Sequence, residues 1–285
     1  MNKFFLFFIF FLWPANVLLA DLIAVDTISP AYESGSYNFN AIAVSHLDKI
    51  YLSETINHEL YELTRNGEII KKTGGFGWNE NNFNYPTDIA INAGLNIFVT
   101  DKNNHRLLRF DKNIHYITAF PDANSHFYLQ YPIALEISKD GELFILQENN
   151  FEILVIDSDR RNYRAIGSDV AENFRLISPV DIHFTGDEEL LVLEQNGKIL
   201  SFDRYGSPLQ IHSKSNSEQS LYKIVKFANA IYTLSTENQL LKLSNRKFTK
   251  TAVVSGTGIT DIYTTHDRLY LLSESGIIYI FASQN

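Results

Sequence analysis

Tyr85-Pro86-Thr87-Asp88-Ile89-Ala90-Ile91 opens a stretch that continues, after a turn, as Asn96-Ile97-Phe98-Val99-Thr100-Asp101 and then as Asn103-Asn104-His105-Arg106-Leu107-Leu108-Arg109-Phe110-Asp111. Its apolar pieces, such as Ile89-Ala90-Ile91 and Ile97-Phe98-Val99, are short and rich in β-branched and aromatic side chains. Polar turn residues separate them. That is the chemistry of short strands joined by tight turns.

The same pattern recurs along the chain. Tyr131-Pro132-Ile133-Ala134-Leu135 and Ser178-Pro179-Val180-Asp181-Ile182 begin two further units, and weaker copies begin at Phe39, Leu221 and Ile259. The starts at 39, 86, 132, 179, 221 and 259 are 47, 46, 47, 42 and 38 residues apart. Turn signals follow each first strand: Ala93-Gly94, Asp140-Gly141 and Gly186-Asp187. Such pairs supply the positive φ of tight hairpins. Second strands recur as Ile50-Tyr51-Leu52, Leu143-Phe144-Ile145, Leu190-Leu191-Val192, Ile231-Tyr232-Thr233 and Leu269-Tyr270-Leu271. No stretch has helical periodicity. Six units of antiparallel strands in radial repetition predict an all-β, six-bladed β-propeller over residues 21–285. The last unit stops at Ile277-Ile278-Tyr279-Ile280-Phe281, one strand short, while Leu22 to Ile28 reads as a spare strand before the first. Pairing the two closes the ring and hides a sheet edge.

Residues 1–20 read differently. Lys3 is followed by an unbroken apolar run from Phe4 to Trp13, Pro14 breaks it, and Val17-Leu18-Leu19-Ala20 leads into Asp21. This is the order of a secretory signal peptide cleaved near Ala20, which predicts a periplasmic or secreted protein. An uncleaved N-terminal anchor is the alternative. No later segment approaches the roughly 20 apolar residues of a membrane span.

Composition narrows the functions. The chain has 285 residues, 45% of them hydrophobic, which supports a sizeable core rather than disorder. Cysteine is absent, which excludes disulfide frameworks, thiolate zinc sites and iron–sulfur clusters. Asp and Glu number 33 against 24 Lys and Arg, a net charge of −9. This balance argues against nucleic acid as a partner.

The unit from Tyr85 to Asp111, with Asn104-His105-Arg106-Leu107, closely resembles the NHL repeat, named for Asn-His-Leu; here Arg106 stands third and Leu107 follows. The resemblance covers about three blades by motif and all six by spacing. It implies a propeller family with many tasks: protein scaffolding, RNA binding, and a few lyases and hydrolases. Fold alone therefore does not settle function.

Three aspartates share one register. Asp88, Asp181 and Asp261 each stand two residues into an innermost strand, in units two, four and six, where repeats of this family often have Gly. Radial symmetry places them around the central channel as a ring for a divalent cation or a cationic ligand. Lys223 holds that register in unit five and is the alternative partner. A bland role is that each Asp bonds backbone within its own blade. Glu54, Asp101, Gln147 and Glu194 end the second strands alike, and their repetition suggests turn bonding. For Asn104-His105-Arg106 the resemblance implies a structural part, joining the second strand to the third and bonding the turn, and a catalytic His105 would need partners.

The histidines, at 46, 58, 105, 115, 126, 183, 212 and 266, share no inner-strand register, and His183 is alone on such a strand. Amidating lyases of this fold hold zinc with several channel histidines, so a zinc enzyme of that kind is not expected. Neither His-Glu-x-x-His nor Gly-x-Ser-x-Gly occurs.

The connector Phe76-Gly77-Trp78-Asn79-Glu80-Asn81-Asn82-Phe83-Asn84 offers Trp78 and Phe83 as loop contacts for a protein, peptide or glycan. The alternative is that they pack between blades. His126-Phe127-Tyr128 lies in the next connector, and Arg160-Arg161 with Arg164 forms a small basic cluster, read as a solvated loop.

Two functions follow. The leading one is an exported propeller that binds a ligand or scaffolds a partner, with the ligand over the central channel. The rival is a lyase or hydrolase that uses a divalent cation at the channel mouth. The acidic ring favours the rival, and the missing histidine constellation favours the binding module.

Overall fold

The computed structural model describes residues 22–93, 96–123, 125–159, 162–167, 170–214, 219–253 and 258–284. The N-terminal segment 1–20, Gly94 and Arg160-Arg161 lie outside them.

Twenty-four described strands form six four-stranded antiparallel sheets. Blade one is β2 (Phe39–Val44), β3 (Ile50–Glu54), β4 (Glu59–Leu63) and β5 (Ile69–Gly74). Blade two is β6 (Pro86–Ile91), β7 (Ile97–Asp101), β8 (Arg106–Phe110) and β9 (Tyr116–Phe120). Blade three is β10 (Pro132–Ile137), β11 (Leu143–Gln147), β12 (Ile153–Ile156) and β13 (Tyr163–Ile166). Blade four is β14 (Pro179–Phe184), β15 (Glu189–Glu194), β16 (Ile199–Asp203) and β17 (Pro208–Ser213). Blade five is β18 (Leu221–Phe227), β19 (Ala230–Ser235), β20 (Gln239–Ser244) and β21 (Lys247–Val253). Blade six is β22 (Ile259–Thr264), β23 (Leu269–Ser273) and β24 (Ile278–Ser283), completed by β1 (Leu22–Ile28).

The first described strand thus becomes the outer strand of the last blade, running antiparallel to β24 from Leu22↔Ser283 to Ile28↔Ile278. At this seam the Tyr32 ring lies over Gly276, whose φ is +81°, and a Cβ there would come within 2.6 Å of that ring. Only glycine allows both the turn and the crossing.

The innermost strands β2, β6, β10, β14, β18 and β22 touch in a closed ring. Each starts at the face where the chain crosses between blades, here the connector face, and ends at the opposite, hairpin face. Six apolar clusters fill the six spaces between consecutive blades. The second strands are covered on both sides, and β3, β7, β11 and β23 are buried throughout. This is why they read as apolar runs rather than as alternations. The outermost strands carry exposed residues, as in β5.

One irregularity repeats in every blade. The pairing of first and second strands slips between Phe39 and Ala41, Pro86 and Ile89, Pro132 and Ala134, Pro179 and Asp181, Leu221 and Lys223, and Ile259 and Asp261. A bulge re-aims the side chain beside it. Here it sets six equivalent residues around the axis.

Among the described residues no helix is long and apolar enough to cross a membrane.

Candidate functional site

The six residues behind the bulges are Ala41, Asp88, Ala134, Asp181, Lys223 and Asp261, all buried except the partly buried Lys223. The structure therefore brings together the three predicted aspartates and Lys223. Lys223 Nζ lies 3.1 Å from Asp261 Oδ1 and 3.8 Å from Asp181 Oδ1. Asp88 stands between the two alanine blades. Each aspartate also reaches the next blade: Leu135 N–H donates to Asp88 Oδ2 at 2.7 Å, Ile224 N–H to Asp181 Oδ2 at 2.8 Å and Ile42 N–H to Asp261 Oδ2 at 2.8 Å. Asp88 Oδ1 takes the N–H of Ile89 at 2.9 Å as well. The aspartates thus bond backbone across blades, and Asp88 and Asp261 also accept an amide of their own blade, from Ile89 and Ile262. They satisfy amides that an inner sheet edge would otherwise leave bare.

Burial sets the electrostatics. It pushes the Asp88 carboxyl up to about 7 and that of Asp181 up to about 8, against the pull of Lys223. Asp261 is also raised by burial. For Lys223 burial acts downward, but Asp261, Asp181 and Asp88 outweigh it and hold the ammonium well above its ordinary range. The ring keeps a charged lysine and shares protons among its acids near neutral pH.

This donor set does not fit a divalent cation. One oxygen of each aspartate is committed to a backbone amide, and the facing oxygens of Asp181 and Asp261 look at an internal ammonium. Among the described residues no trio of His, Asp or Glu side chains is placed to hold a metal ion.

A cavity of about 230 Å³ rises from the ring toward the hairpin face. Two residues beyond the ring, the inner strands present Ala43, Ala90, Glu136, His183, Val225 and Tyr263. Of these, Glu136, His183 and Tyr263 make the polar wall of the cavity. His183 Nδ1 and Glu136 Oε1 are 2.9 Å apart. The Tyr263 hydroxyl donates to Val44 O at 3.3 Å, and burial, with Glu136 adding to it, raises its pKa. Ile137, Phe184 and Thr264 line the upper part. On the other side of the ring, side chains one residue earlier lace consecutive inner strands: Asn40 Nδ2 donates to Pro86 O at 2.9 Å, Thr87 Oγ1 to Pro132 O at 3.0 Å, and the Tyr222 hydroxyl to Ile259 O.

Glu136 was not singled out from sequence, and His183 read as isolated. They lie 47 residues apart, one blade period, and only the shared register four residues into β10 and β14 shows that they meet.

The signature residues of blade two do a different task. Asp101 Oδ2 accepts from Asn104 Nδ2 at 2.7 Å and from Arg106 Nε at 2.8 Å. Arg106 also donates to the carbonyls of Trp78, Asn79 and Asn82, and Asn104 to that of Gly77. His105, with φ +53°, accepts the Tyr131 N–H on Nδ1 at 3.2 Å. His58 does the same for Tyr85 at 3.0 Å, one blade earlier. The second-strand ends behave alike: Glu54, Asp101, Gln147 and Glu194 accept the N–H of Asn38, Asn84, Gln130 and Ile177. These groups fix turns and connectors.

Two surface expectations need correction. Phe83 is fully buried between blades one and two, so it is no loop contact; Trp78 is 65% exposed. Arg164 is not simply solvated, because it pairs with Glu142 at 2.8 Å and donates to Arg204 O. In the next connector Phe127 is buried and Tyr128 exposed.

Residues 83–110 match the family model of the NHL repeat, and the fold is a six-bladed β-propeller of NHL type. No curated protein sequence matches the chain. Among solved structures it is similar to virginiamycin B lyase from Staphylococcus aureus, at 12% identity and a TM-score of 0.65, over 92% of this chain and 99% of that one. A catalytically inactive histidine-to-alanine variant of that lyase with quinupristin gives 12% identity and a TM-score of 0.64, over 92% of this chain and 98% of that one. A streptogramin B lyase gives 11% and 0.63, over 94% of this chain and 99% of that one. At such identities the likeness shows the fold alone.

Proposed function

We propose that this NHL-type propeller is an exported binding module that takes the cationic group of its ligand into the central cavity from the hairpin face. The observation that carries this is the acidity of a walled cavity. Asp88, Asp181, Asp261 and Glu136 line it against Lys223 and His183. Four acidic side chains against one ammonium and one imidazole favour a positive group that brings its own hydrogen-bond donors, because such a group displaces the protons that the buried acids otherwise share. Export rests on the order of residues 1–20.

The test is thermal unfolding with small primary amines and diamines. An amine raises Tm in the wild type in a concentration-dependent way, and Glu136→Gln and Asp88→Asn remove the effect. No stabilisation by any amine overturns the channel reading.

A second reading is an acid–base lyase or hydrolase at the same mouth. It is favoured by the Glu136–His183 pair, since a carboxylate that orients an imidazole is the usual support of a general base. Incubation with quinupristin, followed by chromatography, tests the nearest substrate class. Conversion by the wild type that is lost in His183→Ala would carry this reading instead.

A further inference from the structure

The connector between blades one and two holds a second site, far from the channel chemistry. Trp78 is 65% exposed in a loop that is anything but loose. Arg106 binds three of its carbonyls, Asn104 a fourth, and Asn82 Nδ2 donates to Gly74 O and Gly75 O. Phe83 N–H donates to Gly75 O and Gly77 N–H to Phe83 O, which closes the loop on itself. Phe83 anchors its end in the core. A partly buried Arg106 on the buried Asp101 and a fully buried phenyl ring therefore hold an indole out in water.

Around that indole runs a groove lined by Asn79, Glu80, Asn81, Asn82, Arg106 and Tyr116. The side chains of Asn79, Glu80 and Asn81 are exposed and make no hydrogen bond within the described residues. Arg106, by contrast, is spent on the loop. The groove thus offers a flat aromatic face, a second aromatic ring, two free carboxamides and one free carboxylate. No aliphatic side chain lines it.

We propose that this groove binds a neutral saccharide, with a sugar ring stacked on Trp78 and its hydroxyls bonded by Asn79, Glu80 and Asn81. Sugars present an apolar face of C–H groups and a rim of hydroxyls that both donate and accept. Carboxamides and a carboxylate match that rim, because together they also donate and accept. A rigid aromatic platform lowers the ordering cost of binding. A peptide fits less well, since its apolar side chains would find no pocket here.

The experiment uses an accident of composition. The chain has two tryptophans, Trp13 and Trp78, so residues 21–285, which carry every described strand, hold only Trp78. Its fluorescence reports the groove alone. The probes are short neutral oligosaccharides of the gluco-, manno- and N-acetylglucosamine series, and unstructured peptides of mixed sequence. The expected result is that at least one oligosaccharide blue-shifts the emission and cuts acrylamide quenching several-fold. Binding of that sugar by calorimetry should fall at least about tenfold in Trp78→Ala, partly recover in Trp78→Phe, and weaken in Asn81→Ala. Cooperative unfolding of each variant at the wild-type midpoint confirms an intact fold. Protection by peptides and not by sugars overturns the proposal in favour of a peptide groove. No response to either overturns it outright. Neither result touches the amine test of the channel.

Discussion

Blades two and five face each other across the channel and solve the same geometry with different chemistry. Both place a bulge before the ring residue, yet blade two sets Asp88 there and blade five sets Lys223. Blade two ends its second strand on Asp101, a hub for Asn84, Asn104 and Arg106. Blade five ends it on Ser235, whose hydroxyl is buried without a partner among the described residues. Where blade two passes Tyr131 its His105, blade five passes Ile259 the shorter Asn238, whose Oδ1 accepts the amide at 3.0 Å. The blade itself is made by apolar strands, bulge and packing, which both have. The signature polar network is an addition that holds a connector.

The ring is where this comparison breaks hardest. Lys223→Met keeps the shape but leaves three buried acids uncompensated. We expect a loss of about 3–5 kcal/mol near pH 8.5, where Asp88 and Asp181 ionise, and a smaller loss near pH 5, where these two hold protons. Urea unfolding at the two pH values measures it. The same variant should take up one divalent cation at the higher pH, which lanthanide luminescence detects, whereas the wild type should not. Uptake by the wild type would restore the metal reading of Asp88, Asp181 and Asp261.

The opposite blade gives the mirror effect. The folded pKa of Asp88 is raised, from 3.8 to about 7, so the stability that its bound proton contributes is complete below about 3.8 and lost as pH rises through 7. Asp88→Asn keeps an oxygen for the Leu135 amide and does not titrate. Its stability relative to wild type should therefore climb between pH 4 and pH 8, by up to about 1.4 kcal/mol per pH unit. A difference that stays flat with pH would show that Asp88 ionises freely in the fold.

In the connector, Arg106→Ala strips the bonds to three carbonyls and leaves Asp101 buried with less compensation. A loss of about 2–3 kcal/mol is expected, together with faster Trp78 depolarisation in time-resolved anisotropy. A drop in stability without loosening of Trp78 would separate the ion pair from the loop that it is argued to hold.

Most of the fold was legible because a blade is a local object. Pro86, Pro132 and Pro179 mark strand starts, the turn pairs mark hairpins, and the spacing counts blades. The ring was legible for the same reason: equal register in a radial repeat means equal distance from the axis. What was not legible depends on neighbours in space. Glu136 and His183 meet only through the register of adjacent blades. The inter-blade destination of the aspartate oxygens follows from a bulge, which sequence does not display. Trp78 and Phe83 sit in one Asn-rich loop with no periodicity to tell inside from outside. One is exposed and the other buried because Arg106 and Asn104 fold the segment between them.

The smallest effect tests what blade five lacks. Thr233 Oγ1 is buried with no partner among the described residues, at the position that Val99 holds in blade two. A hydroxyl taken out of water without a replacement bond costs about 1–3 kcal/mol, and valine has nearly the same shape. Thr233→Val should therefore stabilise the protein, by about 1 kcal/mol, with an unchanged urea m-value. Ser235→Ala should follow it with about half that gain, since a smaller side chain leaves a small void. A threonine of blade two one residue further along, Thr100→Val, should go the other way. Thr100 Oγ1 shares a 2.7 Å bond with Thr87 Oγ1, and the loss would leave Thr87 only its bond to Pro132 O. If both threonines respond with the same sign, the polar groups of the two blades are equivalent after all. The signature blade is then no better satisfied than the one facing it.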